Sequence, residues 1–234
     1  SLLGYNVLIT TSNVHDISEL QSLVESNRVD GMLLTRALED DRALQYLSQV
    51  NFPTALTGTC RYDNIIQVDT DNEGAAEKMT TLLIGKGFRR FAFLVKNMSY
   101  NVDRKRHEGF CRALIKNGIS EKDQLFYNGS IRMEFLDAII ENIISKKVEC
   151  IICGDDEICT MVMSRLQAEG YRIPKDVAIA SLYNTTNLDC YSPAVTASQM
   201  GGAAVRQLIQ RLRGENYEKK TMLDYDILFR KSTN

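Results

Sequence analysis

The chain carries little that would mark it for a membrane, a nucleic acid or a catalytic centre. No run of about 18 apolar residues occurs, so no transmembrane helix is indicated. No signal peptide is visible either, although the abrupt start at Ser1 leaves room for one upstream. Positive charge is not in excess. Lys and Arg number 28 against 30 Asp and Glu, a formal net charge of −2. This stretch therefore has no electrostatic footprint for nucleic acid on its own. There are only two histidines, His15 and His107, with no nucleophile pattern beside either. Neither G-x-x-x-x-G-K-[ST] nor G-x-G-x-x-G is present. The sequence thus points to no enzyme activity, no cofactor and no metal.

What is present is ordinary for a globular protein. Hydrophobic residues make up 44% and charged residues 25% of 234 positions, enough for a sizeable core and two lobes. The six cysteines include Cys150 and Cys153, which sit in one apolar run. Residues three apart on a strand point to opposite faces, so these two thiols diverge. No second pair and no nearby histidine follows. Packing of free thiols in a reducing cytoplasm accounts for them better than zinc or redox chemistry does.

Apolar runs alternate with helical periodicity along the chain. Tyr5–Thr10 reads as a strand, followed by a helix with Ile17, Leu20, Leu23 and Val24 on its face. Met32–Thr35, Thr54–Thr57, Ile65–Val68, Phe91–Val95, Gln124–Tyr127 and Cys150–Cys153 read as further strands with helices between most of them. Such alternation predicts parallel sheets covered on both faces. The stretch Cys150–Asn184 is one full strand–helix–strand unit, whose crossover is right-handed by rule. Ligands of open α/β sheets bind outside the carboxyl ends of the strands, which here means Asp155–Asp156 and Tyr183–Asn184. After Asn184 the pattern predicts a short strand at Val195–Ser198, a helix over Gly201–Arg213 and a last strand from Met222 to Arg230.

Five ordered stretches carry a family resemblance: RVDGMLL at Arg28–Leu34, the run Val68–Leu94 with its VDTDNEG start, DRKRHEGFCRALIKNGI at Asp103–Ile119, the run Cys150–Asn184, and YSPAVTASQ at Tyr191–Gln199. Together they resemble the effector-binding domain of LacI/GalR-type transcription regulators, which share a fold with periplasmic sugar-binding proteins. The resemblance implies an α/β protein of two doubly wound parallel-sheet lobes, periplasmic binding protein-like, joined by three crossing strands. Mapped onto this chain, the first lobe is 1–69 plus 200–217 and the second 70–199 plus 218–234. The family's DNA-binding helix-turn-helix headpiece is not in this sequence. Its first strand and first helix are missing as well, because Tyr5–Thr10 corresponds to the second strand.

The resemblance also nominates site residues. Arg106 corresponds to an arginine that reaches the cleft and binds ligand hydroxyls or a carboxylate, a role that suits a planar five-donor fork. The plainer alternative is a solvated arginine beside Arg104 and Lys105. Asp155 replaces the family's cleft asparagine and Asp156 its following aspartate. Either can instead cap the next helix. Because a carboxylate only accepts hydrogen bonds, Asp155 suits hydroxyls or an amine and disfavours an anion. Gln199 either binds ligand or ties the lobes together. Thr57 stands where the family often carries asp-arg. Tyr183, followed by Asn184, stands in place of an aspartate, and either stacks on a ligand or fills the cleft.

The expected function is the ligand-binding and dimerisation core of a bacterial transcriptional repressor that senses a small, sugar-like effector. Operator DNA would be contacted only through the headpiece. A cytoplasmic homodimer is expected, with no membrane partner and with the helix at Gly201–Arg213 at the dimer surface. The alternative is an extracytoplasmic sugar-binding protein of an ABC transporter.

Overall fold

The computed structural model describes residues 4–11, 16–129, 133–184, 192–193, 197–228 and 230–233. In chain order the elements begin with α1 (Ser18–Glu25), β1 (Met32–Leu34), α2 (Arg42–Gln49), β2 (Thr54–Thr57) and β3 (Ile66–Thr70). Next come α3 (Asn72–Gly85), β4 (Phe91–Val95), α4 (Asn101–Lys116), β5 (Leu125–Asn128) and α5 (Met133–Ser145). Then follow β6 (Cys150–Cys153), α6 (Asp156–Ala168), β7 (Ala178–Ser181) and β8 (Ser192–Pro193). The chain closes with α7 (Ala197–Leu212), β9 (Lys220–Leu223) and β10 (Ile227–Leu228).

These elements form two parallel four-stranded sheets, in the orders β1-β2-β3-β9 and β5-β4-β6-β7. The second sheet is apolar on both faces, as expected of parallel strands under helices. Every residue of β4, β6 and β7 is buried. One face packs Phe91, Phe93 and Cys150 against Met79, Leu83, Phe110 and Leu114 of α3 and α4. The other packs Ala92, Ile151 and Cys153 against Leu136, Ile140, Val162 and Leu166 of α5 and α6. Cys150 and Cys153 therefore lie on opposite faces, and both are free thiols. The first sheet has α1 and α2 on one face and α7 on the other.

Several helices start where an aspartate accepts a backbone N–H of the first turn, which satisfies a donor the helix itself cannot pair. Asp41 does this for α2, Asp71 for α3 and Asp155 for α6. α3 and α4 lie so close that a Cβ on Gly109 would stand 2.1 Å from the carbonyl oxygen of Glu73.

Three sequence expectations differ. Tyr5–Thr10 is not a strand. Val7, Leu8 and Ile9 are 79%, 60% and 85% exposed, because an apolar run becomes a strand only beside a partner, and β1 is the edge of its sheet. The strand expected at Val195–Ser198 is not one: Ala197 and Ser198 already belong to α7, while 194–196 lie outside the described residues. The single strand expected over Met222–Arg230 is two. β9 pairs with β3 in the first sheet, and β10 pairs antiparallel with β8. Residues 220–223 thus sit with the first sheet, not with the second lobe where 218–234 was placed. Apolar alternation continues through both pieces, so the sequence does not show where the chain crosses over.

Candidate ligand-binding site

The buried stripe of α4 runs Asp103, Arg106, Gly109, Phe110, Ala113, Leu114. Its spacing is that of one helix face. The apolar end lies on the second sheet, while the amino-terminal end of the same stripe is polar. Helical period alone therefore turns Arg106 inward, away from the solvated position that Arg104 and Lys105 would suggest. Arg106 is 7% exposed. Its Nη1 donates to the carbonyl of Gly154 at 2.5 Å and its Nε to Oδ1 of Asn72 at 3.1 Å. Among the described residues Nη2 makes no hydrogen bond, so half of the guanidinium fork remains available.

Carboxylates surround this cation. Burial opposes the charge on Arg106, while Asp103, Asp69 and Asp155 favour it. Burial raises the carboxyl of Asp69, against the pull of the Thr70 N–H, Lys105 and Arg106. Asp103 is likewise raised by burial, against a hydrogen bond from the Asn97 N–H and the charge of Arg106. The cluster is therefore richer in acceptors than in cations. That chemistry suits a ligand bearing hydroxyl or amino donors.

Asp155 and Asp156 stand at the carboxyl end of β6, where the strand rule puts them. Asp155 caps α6 through Oδ1, 2.8 Å from the Ile158 N–H, and its Oδ2 lies 2.9 Å from Lys96 Nζ. Lys96 also pairs with Glu157. Asp155 thus takes the capping role that the sequence left open beside ligand binding, and it is charge-paired as well. Lys96 offsets the charge of Asp155, which bears on the expectation that this position disfavours an anion. Asp156 is half-buried in the first turn of α6. Tyr183 is half-buried after β7; burial and the nearby Asp156 raise its hydroxyl, and Arg106 lowers it. Arg106, Asp155, Asp156 and Tyr183 thus form one electrostatic group.

Asn184, Thr57 and Gln199 complete the nominated set. Asn184 is buried, and its Oδ1 accepts from Arg230 Nη2 at 2.9 Å, which ties it to the C-terminal segment. Thr57 ends β2, and Gln199 is exposed in the first turn of α7. The opposing wall comes instead from Thr59. Its carbonyl accepts from Asn101 Nδ2 at 3.0 Å and its Oγ1 from Lys105 Nζ at 2.8 Å. Beside it, Leu38 and Tyr100 form an antiparallel backbone bridge, and Arg104 pairs with Glu39 at 2.6 Å. Loops at the carboxyl ends of the first sheet thereby touch the start of α4. Sequence reasoning missed Asn72, Lys96, Thr59 and Lys105. Lys96 follows the apolar run of β4 directly, so the strand-end rule would have found it.

A cavity of about 1050 Å³ lies at the opposite, amino end of the second sheet, lined by Lys86, Arg90, Lys147, Tyr171, Arg172 and Lys175 among others. Its basic character has a structural cause. α3, α5 and α6 end there, and cations complement the negative ends of helices. Arg90 and Arg172 are already paired with Glu149 and Asp176. The Arg106 cluster differs in lying at the carboxyl ends of the strands and in holding a donor with no hydrogen bond among the described residues.

Residues 80–233 match the periplasmic binding protein-like domain model. The chain is 25% identical to the HTH-type transcriptional regulator CelR of Thermobifida fusca, over 97% of this chain and 70% of that protein. It superposes on the crystal structure of a transcription regulator like protein from Staphylococcus haemolyticus with a TM-score of 0.87 and 27% identity, covering 99% of this chain and 86% of that one. This chain is a periplasmic binding protein-like domain of the LacI regulator family. The complex of a regulator CelR with cellobiose shares the fold at a TM-score of 0.79 and 24% identity, covering 92% of this chain and 69% of that one. Relatives of the LacI domain are named as regulators rather than enzymes, in keeping with the sequence expectation.

Proposed function

We propose that this LacI-family domain is the effector-binding core of a cytoplasmic bacterial repressor, and that a sugar or sugar derivative binds beside Arg106. The observation that carries this reading is the buried guanidinium whose Nη2 has no partner among the described residues, within a ring of carboxylate acceptors. A hydroxyl-rich ligand meets both demands, taking hydrogen bonds from Nη2 and giving them to Asp155 or Asp156. The cellobiose complex of CelR, on the same fold, supports this choice of ligand class. A ligand preferring one arrangement of the lobes would shift their equilibrium by its differential affinity, and a headpiece outside this chain would carry the shift to DNA.

The lobe division near residue 70 and the use of α7 in a homodimer belong to the same reading. Ala203, Ala204 and Leu208 of α7 already pack on the first sheet, so a partner would meet the opposite face, which carries Gly202 and Arg206. The test is a thermal-shift panel of cellobiose, other sugars, phosphosugars and nucleosides, since a ligand binding only the folded state raises its melting temperature. One class should stabilise the domain, and Arg106→Lys should abolish the effect. An equal response in Arg106→Lys would sink the assignment.

A further inference from the structure

We infer that Asn72 is the positioning residue for Arg106, binding the arginine and the crossover between the two sheets into one unit; this rests on the reading of Arg106 as the ligand arginine. Asn72 is the first residue of α3 and follows the end of β3 at Thr70 by two positions. It stands where the chain leaves the first sheet for the second. Its amide uses both ends. Oδ1 accepts from Arg106 Nε at 3.1 Å, while Nδ2 donates to Asp69 Oδ1 at 2.8 Å and to the Thr70 carbonyl at 3.1 Å. All of these groups are buried: Asn72 is 4% exposed, Asp69 6% and Thr70 8%.

The chemistry leaves one orientation for this amide. Arginine only donates and an ionised carboxylate only accepts, so the group between them must present an acceptor to one and a donor to the other. Aspartate would set two carboxylates face to face, and a hydroxyl would have to serve all three bonds from one atom. A turn of one lobe against the other acts on the backbone at 69–72. Such a turn either breaks the Asn72 bonds or carries Arg106 with it. Arg106 orientation and crossover geometry are then a single variable, and bias at either end is felt at the other.

Hydrogen exchange by NMR tests this without any ligand. The Nε–H of Arg106 should exchange slowly in the wild type and about tenfold faster in Asn72→Ala, the effect of losing one hydrogen bond. The exchanged pair Asp69→Asn with Asn72→Asp restores an acceptor for Arg106 and a donor–acceptor contact across the crossover, and should return exchange to the wild-type rate. Arg106→Lys should in turn speed exchange of the Thr70 N–H, which donates to Asp69 Oδ1 at 2.8 Å. Unchanged Arg106 exchange in Asn72→Ala overturns the inference. So does an exchanged pair that exchanges fast or does not fold, since it keeps an acceptor for Arg106 and a donor–acceptor contact between positions 69 and 72 and loses only the bond to the Thr70 carbonyl. Unchanged Thr70 exchange in Arg106→Lys overturns the coupling. If these results hold while no sugar raises the melting temperature, the functional reading fails and the positioning role stands.

Discussion

Arg106 and Gly154 are 48 residues apart, yet the guanidinium Nη1 of one donates to the carbonyl of the other at 2.5 Å. That bond joins α4 to the turn that starts α6. It holds the arginine beside Asp155, the cap of the same helix.

The bond also makes Arg106 a structural residue. Arg106→Ala should destabilise the domain by about 3–5 kcal/mol, the cost of removing one partner from a buried charged network. Arg106→Lys should lose less, because a cation remains near Asp69 and Asp103. Urea unfolding of the two variants checks the order, and only Arg106→Lys is clean enough to report on ligand binding.

Asp155 has a capping role separable from its charge. Asp155→Ala should cost about 0.5–2 kcal/mol through loss of the α6 cap. Asp155→Asn keeps a side-chain oxygen for the Ile158 N–H and should cost clearly less. Equal losses in chemical denaturation would show that the ion pair with Lys96, rather than the cap, is what matters.

Gly109→Ala should be among the most damaging small substitutions. Its Cβ would fall 2.1 Å from a backbone carbonyl, which cannot rotate aside as a side chain can. Overpacking of this kind costs roughly 1–3 kcal/mol. Thermal unfolding of Gly109→Ala beside Gly118→Ala is informative, since the first loss comes from contact between helices and the second only from a positive φ of 67°.

His107 packs at 4.3 Å from the Phe126 ring and 5.7 Å from that of Phe93. Burial lowers its pKa below the ordinary value near 6.5, against the opposing charges of Glu121 and Glu108. The unfolded chain therefore takes up this proton first. The contribution to stability is complete above about pH 6.5 and is lost as pH falls through the lower folded value. His107→Phe keeps a ring in place and should flatten the decline in stability between about pH 7 and pH 5. An unchanged pH profile would assign the decline to other groups.

Much of the second lobe was legible in the sequence. Phe91–Val95 and Cys150–Cys153 are continuous apolar runs, the pattern of a parallel strand covered on both faces, and each has a neighbour on either side. The helix stripes followed the same logic, and the strand-end rule located Asp155 and Tyr183. Tyr5–Thr10 looked equally strand-like and is not a strand, because a strand is completed by a neighbour its own residues do not specify. Met222–Arg230 looked continuous and divides between two sheets for a similar reason.

The site was readable by residue type and much less by bonding. Sequence alone determined that a polar tip follows β6 and that Phe110, Ala113 and Leu114 face inward on α4, since both depend on local period; it left Arg106 open between the cleft and solvent. Tertiary structure decided that Lys96 neutralises Asp155, that Asn184 serves the C-terminal segment, and that Asn72 holds the arginine. Each of these is a contact between residues distant in the chain. Periodicity says which way a side chain points, but only packing says what it meets there.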